Sequence, residues 1–135
     1  MLDGELEYRR GNVEAGLEHL RRAVELEDTL PYGEPWGWMQ PIRHAQGALL
    51  LEQGLTEEAM AAYKADLGFD DTLPRSHQHR NNVWALQGLH ECLLRLGRER
   101  EAQMIRPQLE LALAGADVRI KASCFCRSDC CTSRL

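Results

Sequence analysis

The chain has 135 residues, 44% of them apolar and 27% charged, which is the size and composition of one soluble domain and argues against multidomain machinery. A net charge of −5 makes nucleic acid a poor partner. No apolar run approaches the roughly 18 residues that span a bilayer, so no membrane is expected. The start Met1-Leu2-Asp3-Gly4-Glu5 lacks the basic and apolar regions of a secretion signal, which leaves the cytoplasm as the expected location.

The 21 Leu and 14 Ala against 4 Val, 3 Ile and 4 Thr make the expected fold all-α. Apolar periodicity predicts helices over 2–10, 13–27, 38–53, 56–67, 79–96 and 98–114. Gly54 suits the left-handed turn that ends one helix, and Thr56 is the expected cap of the next. The stretch Pro31–Pro41 holds Trp36 and Trp38 among three prolines and two glycines, a composition of rigid turns whose rings are expected to plug a gap between helical pairs. Pro107 is expected to kink or break the last helix, because it lacks a backbone donor and its ring crowds the preceding turn.

The predicted elements repeat. Gly11, Gly54 and Gly97 are separated by two steps of 43 residues. At that offset Asp28-Thr29-Leu30-Pro31 recurs as Asp71-Thr72-Leu73-Pro74, and positions 4–31 share eight identities with the following copy. The domain is therefore expected to span 1–115, with repeats at about 1–30, 36–73 and 79–114, followed by a basic, Cys-rich tail at 116–135.

These residues resemble the tetratricopeptide repeat (TPR) family. Gly47, Leu50, Gly54, Ala59 and Tyr63 match its small, large, turn, small and aromatic positions, as do Gly4, Gly11, Gly16, Leu20 and Ala23 in the preceding copy. The third copy keeps Leu93, Gly97 and Ala102 but has His90 and Arg106 at a glycine and an aromatic position. The period also exceeds the family's usual length of about 34 residues, the surplus lying in the loops. The resemblance implies an α-solenoid of three antiparallel helix pairs, beginning inside its first repeat as the C-terminal portion of a longer array would. An open N-terminal end of the stack then suggests a homodimer through that end.

The same resemblance implies a concave groove lined by the first helix of each pair. It places Tyr8, Arg9, His44, Glu52, Trp84, Gln87, Glu91 and Arg95 there, with Tyr8 and Trp84 as anchors for a peptide or helix and the charges setting its register. The family's basic clamp for C-terminal carboxylates is missing, since Ala45, Trp84 and Gly88 stand at the matching positions. The expected function is a non-enzymatic protein-interaction scaffold with a protein or peptide ligand and no required cofactor.

A second reading comes from the thiols. Cys124, Cys126, Cys130 and Cys131 fall within eight residues, and close sulfurs of this kind chelate soft or borderline cations such as zinc or copper. Arg127 and Lys121 favour the thiolate and hence metal capture or redox chemistry. The alternative is that Phe125 and its neighbouring cysteines dock as small hydrophobes against the last repeat. His77 and His79 form a weaker metal candidate beside Asp70 and Asp71. Neither a phosphate-binding glycine loop nor a hydrolase or zinc-protease signature occurs, so no enzyme constellation is expected.

Overall fold

The computed structural model describes residues 1–31 and 40–127. It is all-helical, with no strand among the described residues. The helices are α1 (Leu2–Arg9), α2 (Val13–Asp28), α3 (Ile42–Glu52), α4 (Thr56–Leu67), α5 (Val83–Arg95) and α6 (Glu99–Ala114), with a 3₁₀ turn at Arg75–His77. No helix among the described residues is long and apolar enough to cross a membrane.

Each helix packs on the next in chain order, and α3 also touches α5. The recurring glycines set the reversals: Gly11, Gly54 and Gly97 have φ of 93°, 76° and 69°, a region closed to most side chains. Other glycines permit close packing. A Cβ on Gly16 would stand 2.7 Å from the Tyr8 amide nitrogen and 2.8 Å from the Gly4 carbonyl oxygen, so the absence of a side chain is what brings α1 against α2. In the middle of the molecule the Tyr63 ring of α4 is clamped between Gly47 of α3 and Gly88 of α5. A Cβ on either glycine would come within 2.4 Å of that ring. Leu20, Leu49, Leu50, Leu86, Leu89 and Leu93 complete a core that runs through all six helices.

Three local expectations are revised. Helix α5 begins at Val83 rather than 79, because the Asn82 side chain accepts from the amides of Trp84 and Ala85 and caps it there. Thr56 lies inside α4, with Leu55 at the cap position, and its hydroxyl donates to the Gly54 carbonyl at 3.4 Å. Pro107 does not break α6, which runs unbroken from Glu99 to Ala114. Its missing bond would have reached the Gln103 carbonyl, and both residues are on the exposed side, where that oxygen is open to solvent. The Trp36 and Trp38 loop lies outside the described residues.

Candidate functional site

Helices α1, α3 and α5 are tied together side by side. The Tyr8 hydroxyl donates to the Leu49 carbonyl at 3.4 Å, the Arg9 guanidinium holds both Glu52 oxygens at 3.0 and 3.3 Å, and Arg95 donates to the Leu51 carbonyl at 2.8 Å. Ala45 and Ala48 of α3 are fully buried between these links, and small side chains there leave a channel. The chain fills that channel with its own C-terminal segment. After α6 the backbone returns so that Ile120, Ala122, Ser123, Cys124 and Arg127 are buried, with Cys124 resting on Ala45 and Ala48.

Each residue of the returning segment has a specific receptor. The Ser123 hydroxyl donates to the His44 carbonyl at 3.0 Å, so it accepts the hydrogen of the Tyr63 phenol. Burial pushes the Tyr63 pKa well above its ordinary value, which keeps that phenol a donor. Phe125, 62% exposed, stands edge-on to Trp84 with ring centroids 5.2 Å apart. Arg9 donates to the Cys126 carbonyl. Arg127 reaches Glu91 at 2.8 Å, on the carboxylate whose other oxygen Arg95 holds at 2.6 Å.

The groove residues expected from the sequence thus divide. Arg9, Trp84 and Glu91 contact the segment through their side chains, and Glu52 and Arg95 hold those contacts in place. Tyr8 is buried, with its hydroxyl taking a hydrogen bond from Gln53 at 2.6 Å as well as donating to Leu49, so it is a strut between α1 and α3 and not a peptide anchor. His44 offers the groove its carbonyl, while its ring is turned to Asp66. Gln87 is half-buried on α5, and among the described residues no hydrogen bond joins it to the segment.

Asp66, on the last turn of α4 and 1% exposed, went unnoticed in the sequence. His44 Nε2 lies 3.0 Å from its Oδ2 and His79 Nδ1 2.8 Å from its Oδ1, and the His79 amide donates to the Asp66 carbonyl. An ionised carboxylate only accepts, so both rings carry their hydrogen on the facing nitrogen. Burial raises the carboxyl pKa, but the two imidazole hydrogen bonds together outweigh it and hold Asp66 below the ordinary carboxylate range. The position was legible in one respect: Ala59, Tyr63 and Asp66 follow i, i+4, i+7 spacing along a buried stripe, where a charge needs a partner.

Among the described residues the metal candidates do not come together. Cys124 and Cys126 are joined in a disulfide, so in this form neither offers a thiolate, and Cys130 and Cys131 lie outside the described residues. His79 is committed to Asp66, and His77 ends the 3₁₀ turn. Among the described residues no group of three or more His, Cys, Asp or Glu side chains is placed to hold a metal ion. Cys92 is fully buried in α5, its thiol pushed up to about 12 by burial and by the neighbouring Glu91 charge.

No protein-family model, curated protein or solved structure matches this chain.

Proposed function

We propose that this chain is a TPR-like helical-repeat scaffold that holds a non-helical peptide segment in the groove formed by α1, α3 and α5, and that its role is binding rather than catalysis. The observation that supports this reading is the seating of residues 120–127 on Arg9, the His44 carbonyl, Trp84 and Glu91. A groove that accepts its own turned segment through a serine, an aromatic and an arginine has the chemistry to accept a partner segment of that kind. Exposed Leu2 and Leu6 on α1 are in keeping with self-association through that end, for which molar mass against concentration is the measure.

The binding test uses the full chain carrying Arg127→Glu, which repels Glu91 and loosens the internal segment. A fluorescent peptide with the sequence of residues 118–127, serines replacing its cysteines, should bind this variant more tightly than the parent in anisotropy titrations. Binding should vanish when Glu91→Arg is added to the variant. A folded Arg127→Glu protein that ignores the peptide would sink the proposal.

A further inference from the structure

We infer that Cys124 and Cys126 form a thiol–disulfide exchange site set in the groove, one that takes two electrons from a dithiol on a peptide or small molecule. This goes beyond the groove reading and needs no partner peptide in the groove.

The two sulfurs are differently placed. Cys124 is buried on Ala45 and Ala48, and its Sγ receives two N–H donors, Gln40 Nε2 at 3.4 Å and the Cys126 amide at 3.1 Å. Cys126 is only half-buried. Donors aimed at a sulfur stabilise negative charge on it, and the sulfur better able to carry charge leaves faster in exchange. Cys126 is therefore the sulfur attacked and Cys124 the one expelled. Room for that separation exists, since Cys124 borders a cavity of about 280 Å³ lined also by Gln40, His44, Asn82, Trp84 and Phe125. The buried Cys92 has no such arrangement and serves as an internal control.

The electrons balance as follows. A substrate thiolate bonds to the Cys126 sulfur, the disulfide breaks, and its electron pair leaves on Cys124 as thiolate. The second substrate thiolate then attacks the substrate sulfur of the mixed disulfide and releases Cys126. The products are a substrate disulfide and the Cys124, Cys126 dithiol, which takes up the two protons given up by the substrate thiols. A small-molecule disulfide such as oxidised glutathione restores the starting form.

The test equilibrates the full-length protein over a range of reduced-to-oxidised glutathione ratios, traps thiols with an alkylating reagent, and weighs tryptic peptides. Cleavage after Lys121 and Arg127 isolates Ala122–Arg127 with only these two cysteines. That peptide should pass reversibly between disulfide and doubly alkylated forms while Cys92 stays a thiol. In the reduced protein Cys124 should be alkylated faster at neutral pH than in Gln40→Leu and Gln40→Glu, severalfold in each, with Cys126 unchanged and both variants melting like the parent. The inference is overturned by a peptide that stays disulfide-bonded at every ratio, or by one alkylated at both cysteines in oxidised glutathione. It is equally overturned by cross-links to Cys130 or Cys131, or by equal Cys124 rates in parent and variants.

Discussion

Replacing Asp66 with alanine removes the one acceptor shared by the imidazole hydrogens of buried His44 and half-buried His79, at 3.0 and 2.8 Å. Each such donor left without a partner costs about 1–3 kcal/mol, so Asp66→Ala should destabilise by roughly 2–6 kcal/mol. For a chain of this length that corresponds to a fall in Tm of about 8–24 °C. Asn is a gentler change: its carbonyl accepts from one ring, and the other ring can shift its hydrogen and accept from the amide, so Asp66→Asn should cost about half as much. The pH dependence carries a sign. Asp66 titrates below its unfolded value of about 3.9, so its stabilising contribution is whole above that pH and is lost as pH falls through the lowered folded value. Burial raises the Glu27 carboxyl, which works in the opposite direction, and so the quantity to follow is the difference between parent and variant. In urea melts from pH 7 down to pH 2, the gap between parent and Asp66→Asn should hold down to about pH 4 and close below it. An alanine variant melting within 2 °C of the parent, or an asparagine variant as damaged as the alanine, would refute the reasoning, the 2 °C margin being about half of what 1 kcal/mol shifts Tm.

Two further substitutions test the packing. Gly88→Ala would set a Cβ 2.3 Å from the Tyr63 ring, and overpacking of this kind costs about 1–3 kcal/mol; a chemical-denaturation midpoint equal to the parent's would contradict the clamp. Pro107→Ala restores the helical bond to the Gln103 carbonyl on the exposed side of α6, and should raise stability by about 1–3 kcal/mol, read as a higher Tm.

The helical framework was legible because its signals are local. Gly11, Gly54 and Gly97 need only their own backbone conformation to mark the reversals, and all three have positive φ. Gly47 and Tyr63 were readable as a small and large pair, and they meet as such. The groove was partly legible, since Arg9, Trp84 and Glu91 do face the returning segment. Tyr8 and His44 show the limit: helical spacing gives the face of a residue, whereas the direction of its polar atoms depends on partners far along the chain, Leu49 and Gln53 for one and Asp66 for the other. The partner of Ser123 was out of reach for the same reason, as 60 residues separate it from Tyr63.

Under the proposed binding role, the occupied groove sets a condition on a partner. From the end of α6 at Ala114 to the first buried residue of the segment, Ile120, the chain is short, and a tether of that length keeps the segment at an effective concentration on the order of millimolar. A free peptide making only the same contacts therefore loses to the internal segment at micromolar concentration. A successful partner needs contacts the segment leaves unused. Leu94, 52% exposed on α5 one turn beyond Arg95's partner Glu91, offers one, and Gln87, half-buried on the same helix, offers another. Reduction of the Cys124–Cys126 link acts on the same balance from the other side. The link holds the two Cα atoms 5.2 Å apart, closer than the roughly 6.6 Å of an extended strand, and so turns the chain at Phe125 toward Trp84. Once the link is cut, the segment gains backbone freedom that docking must again restrict, and the groove opens to competitors in proportion to the fraction released.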